Sequence, residues 1–128
     1  MEHKDLVAKA MEAREKAHAP YSHFAVGAAL LAKSGRVYTG CNVENASYGL
    51  SICAERTAVF KAVSEGERDF EAIAVVTDKG VTPCGACRQV LLEFGGDIQV
   101  IVANGAGEYR IFGLRELLPE AFTPKHLE

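Results

Sequence analysis

Residues 72–87 read AIAVVTDKGVTPCGAC, a strand-like run followed by a proline and two closely spaced cysteines. The run 72–77 is short and almost wholly apolar, which is typical of a strand buried on both faces of a sheet. Pro83 favours the first turn of a helix, and the residues that follow predict a helix over 84–94. Because a buried strand leads into a helix here, the stretch indicates an α/β fold.

Outward from this stretch, hydrophobic periodicity and turn residues predict elements in the order α-β-β-α-β-α-β-β-α. The predicted helices cover 6–18, 53–65, 84–94 and 114–118. The predicted strands cover 24–32, 36–44, 72–77, 98–103 and 109–112. The loop between the last two strands is too short for a parallel crossover, so this pair is expected to be antiparallel.

This order predicts a three-layer α-β-α architecture, in which a mixed five-strand sheet is covered by helices on both faces. The chain has 128 residues and shows no repeat, linker or low-complexity segment, so one domain over 1–128 is expected. The junctions before residues 53 and 84 fall at the carboxyl ends of strands, where open α/β sheets place ligands. Functional residues are therefore expected at these two junctions.

The charge balance and the apolar runs exclude several classes of partner. The chain carries 14 Lys and Arg residues against 17 Asp and Glu residues, a net charge of −3, with no basic cluster. Nucleic acid is therefore not an expected partner, because its phosphates are bound by clustered cations. The longest apolar run, 25–32, is far shorter than the roughly 20 residues of a membrane-spanning helix. The charged N-terminus lacks the apolar segment of a secretory signal, so a cytoplasmic location is expected.

Three of the four cysteines lie in the two junctions. Cys84 and Cys87 occupy the first turn of a predicted helix, where free N–H groups and the helix dipole favour thiolates. A Cys-x-x-Cys pair alone fits a redox dithiol, half of a structural zinc site or half of a catalytic zinc site. Cys53 adds a third thiolate, and three protein ligands leave one zinc position open, as in catalytic sites. Glu55 places a carboxylate beside this set.

The fourth cysteine, Cys41, offers an alternative in which a Cys₄ shell closes a purely structural zinc site. Its position on a predicted strand favours a buried free cysteine instead. Residues two apart on a helix point about 200° apart, so Cys53 and Glu55 can face one site only if Cys53 caps its helix. A disulfide framework is not expected, because the chain is long enough to form a core and lacks a secretory signal.

Several segments of the chain resemble the small, single-domain, zinc-dependent cytidine deaminases. They are 20–22 with Phe24, 26–29, 40–46, 53–58, 83–89 and 117–122, and they span nearly the whole chain. The resemblance implies hydrolysis of cytidine or 2′-deoxycytidine to uridine or 2′-deoxyuridine and ammonia, in pyrimidine salvage. It implies one Zn²⁺ per chain, held by Cys53, Cys84 and Cys87, with zinc-activated water attacking C4. It also implies that Glu55 shuttles the proton.

The same resemblance assigns residues to the substrate. Phe24 matches the aromatic residue that stacks on the pyrimidine, and the backbone at Ala54 matches groups that bind the base edge. Asn42 and Glu44 match the pair that binds the ribose 3′-hydroxyl, and residues two apart on a strand share a face. Arg56 matches an arginine that hydrogen-bonds the ligand sulfurs, and it would help to offset the negative charge of zinc with three thiolates.

Tyr48 and Phe122 match residues that reach into a neighbouring subunit's site in tetrameric members of the family. The resemblance thus implies a homotetramer whose active sites are shared across subunits. A related deaminase of another cytosine nucleoside, such as a nucleoside antibiotic, has the same active-site motifs and stays an alternative. A structural zinc module and a thiol redox protein stay open as other classes, whereas the acidic balance disfavours a polynucleotide editor.

Overall fold

The computed structural model describes all 128 residues and places five strands in one sheet, with helices packed on both of its faces. The helices are α1 (His3–Arg14), α2 (Ala54–Ser64), α3 (Gly85–Gly95) and α4 (Leu114–Leu117). The strands are β1 (Gly27–Ala32), β2 (Val37–Cys41), β3 (Phe70–Val76), β4 (Gln99–Ala103) and β5 (Tyr109–Gly113). Short 3₁₀ turns cover Tyr48–Leu50 and Pro124–Leu127. The predicted order of helices and strands is confirmed.

The sheet has the strand order β2-β1-β3-β4-β5, and only β3 and β4 run parallel. α3 forms the crossover between these two strands, as a parallel connection requires. β4 and β5 pair antiparallel, with Ile101 opposite Ile111, which confirms the prediction for the last two strands. The carboxyl end of β3 leads through residues 77–84 into α3.

Two separate cores flank the sheet, because successive side chains of a strand point to opposite faces. The core beneath α1 is formed by Leu6, Val7, Ala10, Ala29, Leu31, Ala72, Ala74, Val76, Ile101 and Ala103. The larger core beneath α2 and α3 includes Leu30, Val59, Ile73, Val75, Leu91 and Val100. This division confirms the three-layer architecture and leaves α2 and α3 together on one face.

Two glycines allow helices to approach the sheet closely. A Cβ atom on Gly27 would lie 2.0 Å from the carbonyl oxygen of Ala10 in α1. A Cβ atom on Gly40 would lie 2.5 Å from the carbonyl oxygen of Ala54 at the start of α2. Both neighbours are backbone atoms, so a side chain at either glycine would displace a helix. Gly40 therefore allows the N-terminus of α2 to lie directly against β2.

The second strand, predicted over 36–44, is shorter in the structure and ends at Cys41. Val43 forms an isolated antiparallel bridge with Ile52 instead of continuing the ladder with β1. This bridge turns the chain away from the sheet, so the loop over 42–52 folds back toward the start of α2.

The first helix, predicted over 6–18, ends earlier, at Arg14. The next N–H groups, those of Lys16 and Ala17, bond to carbonyl oxygens three residues back rather than four. Such tighter bonding is common in the last turn of a helix. None of the helices is both long enough and apolar enough to cross a membrane.

Candidate active site

The three candidate ligand cysteines lie at the N-termini of two helices. Cys53 caps α2 and Cys84 caps α3, both with an extended backbone, and Cys87 lies in the first turn of α3. The prediction that Cys53 caps its helix is confirmed. Free N–H groups and the positive ends of both helix dipoles meet here, and they stabilise thiolates.

The sulfur atoms of these cysteines converge. All three Sγ atoms lie within 4.8 Å of one another, and those of Cys53 and Cys84 are 3.9 Å apart. Tetrahedral zinc with Zn–S bonds of about 2.3 Å needs Sγ atoms about 3.8 Å apart. The cluster therefore has the donor atoms and nearly the spacing that a three-thiolate zinc site requires.

Cys41 stands apart from this cluster at the end of β2. Its thiol is free, as predicted, but the residue is half-buried rather than buried. Its carbonyl oxygen accepts a hydrogen bond from Oγ1 of Thr57 in α2, at 3.1 Å. The structure therefore does not form the closed Cys₄ site that a structural zinc module would need.

A hydrogen bond links Arg56 to the cluster. Nη2 of Arg56 donates to Sγ of Cys53 at 3.3 Å, while its Nε is buried without a partner in the protein. The hydrogen bond from Cys87, together with the bond and charge of Arg56, lowers the pKa of Cys53 to about 5 despite partial burial. Cys53 is therefore a thiolate at neutral pH, the form that binds zinc.

Glu55 is buried beside the cysteines, with 4% of its surface exposed. Burial raises the pKa of Glu55 to about 7, and the negative charge of Cys53 adds to this rise. A carboxyl group with a pKa near neutrality can both accept and donate a proton at neutral pH. Glu55 thus has the position and the pKa needed for proton transfer next to the cluster.

A cavity of about 620 Å³ opens in front of Cys53, Glu55 and Cys84. This volume lies within the range of about 300–1,000 Å³ that is typical of small-molecule sites. Its apolar lining consists of Phe24, Val26, Tyr48, Ile52, Val75, Val81 and Pro83. Its other lining residues are Ser22, Asn42, Glu44, Ser51, Arg56, Thr77 and Thr82. Such a lining suits a small molecule that combines apolar surface with a few polar groups.

Asn42 lines the cavity just beyond the end of β2 and is buried. Its Nδ2 donates to the carbonyl oxygen of Phe24 at 2.7 Å, and its Oδ1 accepts from the N–H of Val26 at 2.9 Å. Nδ2 keeps one further N–H donor, and Oδ1 keeps one further acceptor position. Asn42 therefore fixes the segment that carries Phe24 and retains capacity for a ligand.

Glu44 lines the same side of the cavity and holds the preceding loop. Its Oε1 accepts from the N–H groups of Tyr21 and Ser22 at 3.0 and 3.1 Å, and its Oε2 accepts from the Ser22 hydroxyl. The bonds from Ser22 lower the pKa of Glu44. Glu44 is therefore held in its ionised form at the cavity wall.

The remaining predicted substrate residues are placed differently. Phe24 lies on the cavity wall, and Tyr48 lies at its rim with 75% of its surface exposed. Ala54 is fully buried in the first turn of α2, behind the cavity lining. Phe122 lies outside the cavity and is 56% exposed, and its carbonyl oxygen accepts a hydrogen bond from Gln89. One chain alone therefore brings Phe24 and Tyr48, but not Phe122, to the cavity.

Comparisons with known proteins agree with this geometry. The family model described as the cytidine and deoxycytidylate deaminase zinc-binding region matches residues 1–104. The chain belongs to the cytidine deaminase family. Its relatives include the cytidine deaminase of Halalkalibacterium halodurans, which is 54% identical over 99% of this chain and 98% of that protein. The family binds zinc, and Cys53, Cys84 and Cys87 are the residues that could hold it here.

Two further comparisons cover nearly the whole chain. The cytidine deaminase of Sporosarcina psychrophila is 51% identical over 99% of this chain and 96% of that protein. The crystal structure of cytidine deaminase from Burkholderia pseudomallei superposes with a TM-score of 0.92 at 53% identity. That superposition covers 95% of this chain and 100% of the other. The chain therefore shares the fold of a solved cytidine deaminase over nearly its whole length.

The structure adds supporting residues to this deaminase site that the sequence motifs did not single out. Oγ1 of Thr57 donates to the carbonyl oxygens of Cys53 and Cys41, at 3.2 and 3.1 Å, and so ties the start of α2 to β2. Oγ1 of Thr77 accepts from the N–H groups of Gly80 and Val81, which shapes the loop before α3. Thr57 follows Cys53 by four positions, and this helical spacing could have indicated the bond from Thr57 to the carbonyl oxygen of Cys53.

Proposed function

We propose that the protein hydrolyses the 4-amino group of cytidine and 2′-deoxycytidine, forming uridine or 2′-deoxyuridine and ammonia. The observation that carries this proposal is the burial of Glu55 beside the three cysteines, at a cavity of nucleoside size. The relatives at 54% and 51% identity are cytidine deaminases, which supports the same substrate class.

Zinc held by Cys53, Cys84 and Cys87 would supply Lewis-acid chemistry that makes water nucleophilic at neutral pH. Glu55 takes the proton of the attacking water and delivers it to ring N3 as the new C–O bond forms at C4. Glu55 then passes the second proton of that water to the exocyclic nitrogen, and the C–N bond breaks to release ammonia. The reaction consumes one water per nucleoside and returns Glu55 to its ionised state.

The cavity walls orient the nucleoside. Phe24 stacks on the pyrimidine ring, and the backbone of Ala54 bonds to the base edge at the first turn of α2, where N–H groups lack partners within the helix. Asn42 and Glu44 bind the ribose 3′-hydroxyl with the acceptor and donor positions that their internal bonds leave free. Since these internal bonds already hold both side chains, little conformational entropy is lost when the sugar binds.

Charge compensation is the role proposed for Arg56. Zinc held by three thiolates would carry net negative charge, which would weaken its ability to acidify water. The hydrogen bond from Arg56 to Cys53 and the dipoles of α2 and α3 reduce the electron density on the sulfurs. The same groups that stabilise the thiolates therefore also support the reactivity of the site.

A direct assay tests this function. Zinc-loaded protein is incubated with cytidine, 2′-deoxycytidine, deoxycytidylate or free cytosine, and ultraviolet absorbance and ammonia release are followed. We expect turnover of the two nucleosides and stoichiometric ammonia. Absence of turnover with fully loaded protein would overturn the proposal, and preference for deoxycytidylate would redirect it to the nucleotide.

We also propose a homotetramer in which Tyr48 and Phe122 enter the sites of neighbouring subunits. Both side chains are exposed in the single chain, and Leu50 beside Tyr48 is 72% exposed. Exposed apolar residues at a cavity rim are typical of an interaction surface. Light scattering is expected to give four times the chain mass, and Phe122→Ala is expected to raise KM. A fully active monomer would contradict the shared site.

A cytoplasmic location is part of the same proposal. All four thiols are free, and a reducing compartment preserves free thiols and thiolate ligands. Fractionation of cells that produce the protein is expected to recover the deaminase activity with cytoplasmic markers. Recovery with secreted or membrane fractions would contradict this location.

A further inference from the structure

Arg88 lies one turn into α3 and bonds to the peptide groups on both sides of Cys84. Its side-chain Nε donates to the carbonyl oxygen of Pro83 at 2.7 Å. Its backbone N–H donates to the carbonyl oxygen of Cys84 at 3.0 Å. The backbone bond is the ordinary helical bond that any residue at position 88 would form, so the guanidinium itself restrains the peptide plane between Pro83 and Cys84, which precedes the Cys84 side chain.

The rest of the Arg88 guanidinium joins two other parts of the chain. Nη2 donates to Oγ1 of Thr82 in the cavity wall at 2.8 Å. Nη1 donates to the carbonyl oxygen of Leu117 in α4 at 2.5 Å. The guanidinium is half-buried and has no carboxylate within 4.0 Å, so these neutral oxygens are its partners. Only arginine presents donors in three fixed directions in one plane.

Cys84 depends on such restraint more than the other two cysteines do. It is exposed, whereas Cys87 is buried inside α3 and Cys53 is half-buried with Arg56 on its sulfur. The carbonyl oxygen of Cys53 accepts a helical bond from the N–H of Thr57 and a further bond from its Oγ1, whereas Arg88 reaches the carbonyl oxygen of Cys84 through its backbone N–H. The side-chain support therefore differs: Thr57 bonds to the peptide that follows Cys53, and the Arg88 guanidinium bonds to the peptide that precedes Cys84.

We propose that Arg88 is a positioning residue that orients Cys84 toward the other two cysteines and fixes the cavity wall at Thr82 and Pro83. It acts through the backbone of the loop before α3 and anchors that loop to α4. The part of this inference that concerns turnover rests on the proposed deamination, whereas the part that concerns metal retention does not. Loss of the guanidinium is expected to loosen the cluster at Cys84 first.

Zinc release provides the primary test. Zinc-loaded wild type, Arg88→Ala and Arg88→Lys are mixed with a chromogenic zinc chelator, and the release rate is measured. Supporting groups around metal ligands typically change metal affinity by about 10- to 100-fold, so we expect at least about tenfold faster release from Arg88→Ala. Arg88→Lys is expected to be intermediate, because one ammonium group cannot bond to all three acceptors.

Arg68→Ala is the matched control. Nη1 of Arg68 also bonds to two backbone carbonyl oxygens, those of Val63 and Glu67, but at the far end of α2. Zinc release from Arg68→Ala is expected to be as slow as from wild type. Equal acceleration in Arg68→Ala and Arg88→Ala, or release from Arg88→Ala within about twofold of wild type, would overturn the proposal.

Because Arg88→Ala could fold poorly, a second variant and a second measurement test the same proposal. Thr82→Val removes one acceptor of the guanidinium, and we expect a smaller increase in zinc release and a higher KM. With excess zinc present, Arg88→Lys is expected to regain full metal content and yet keep a lower kcat/KM, because the cavity wall stays displaced. Complete recovery of kcat/KM by zinc, with normal release from Thr82→Val, would contradict positioning. If wild type fails to deaminate cytidine, the release rates still test Arg88.

Discussion

The Sγ atoms of Cys53 and Cys84 lie 3.9 Å apart, although 31 positions separate the two residues. Each residue caps a helix, and both helices pack on the same face of the sheet. The two positive helix ends therefore meet at one point, where three cysteine sulfurs and a buried carboxyl group are concentrated. This meeting of two helix N-termini explains why a metal site and a proton-transfer group share a cavity.

Substitution of single cysteines distinguishes ligands from the free thiol. Cys87→Ser is expected to lose tightly bound zinc, because a hydroxyl is a poor replacement for a thiolate ligand. Cys41→Ser is the matched control and is expected to retain about one zinc per chain, since three ligands remain. Zinc content after dialysis against a weak chelator measures both. Loss of zinc from Cys41→Ser would show that Cys41 belongs to the site.

Glu55→Gln separates proton transfer from metal binding. Loss of a general acid-base group typically costs about 10²- to 10⁴-fold in rate, and we expect a decrease of kcat in this range. Zinc content is expected to stay unchanged, because the three cysteines are intact. Glu65→Gln, at the exposed C-terminal end of α2, is the control and should keep normal turnover. Near-normal turnover of Glu55→Gln would refute the assigned role.

The protonation of Glu44 reports on its bonds to Ser22. These bonds hold the pKa of Glu44 below the ordinary value of 4.5, so their stabilising effect is present above pH 4.5 and is lost as the pH falls through the folded-state pKa. In Ser22→Ala the pKa is expected to rise toward 4.5. Carbon-detected NMR of the Glu44 carboxyl measures it, with Ser64→Ala as the control. An unchanged pKa in Ser22→Ala would show that the hydroxyl is not the partner.

A methyl group at Gly40 is expected to destabilise the protein. Its Cβ would meet backbone atoms of Ala54 and Ala58 at 2.5 and 2.6 Å, and overpacking of this kind typically costs about 1–3 kcal/mol or more. Gly49→Ala is the control, because a Cβ there meets nothing within 4 Å, and its effect should stay below about 1 kcal/mol. Urea unfolding of the zinc-loaded wild type and both variants measures their free energies of unfolding. Equal stability of the two variants would contradict the close approach of α2.

Local sequence signals account for most of the fold. The apolar run 72–77 and the proline before Cys84 predicted a buried strand and a helix start, and both lie where they were expected. The capping position of Cys53 followed from the angle between residues two apart on a helix. The end of β2 was missed because it depends on a bridge between Val43 and Ile52, a contact that periodicity does not encode.

For the site, too, local sequence signals indicated some residues and only the tertiary structure revealed others. Residue types and spacing indicated Cys53, Cys84, Cys87 and Glu55 as candidates, since ligand chemistry depends on the side chains themselves, and the resemblance to cytidine deaminases implied their roles. The contact of Arg88 with Leu117 joins residues 29 positions apart, and it was not predictable from either segment alone. The position of Phe122 outside the cavity likewise became visible only when α3 and the C-terminal segment were placed together.

The sequence by itself determined the order of helices and strands, the capping position of Cys53 and the candidate ligands of the site. These features depend on periodicity, proline and the preferences of neighbouring residues, which act over a few positions. Only the tertiary structure decided that the sulfurs converge within 4.8 Å, that Glu55 is buried and that Arg88 bridges the cavity wall to α4. Those distances arise from the packing of α2 and α3 on a shared sheet, and packing joins residues that are distant in the chain.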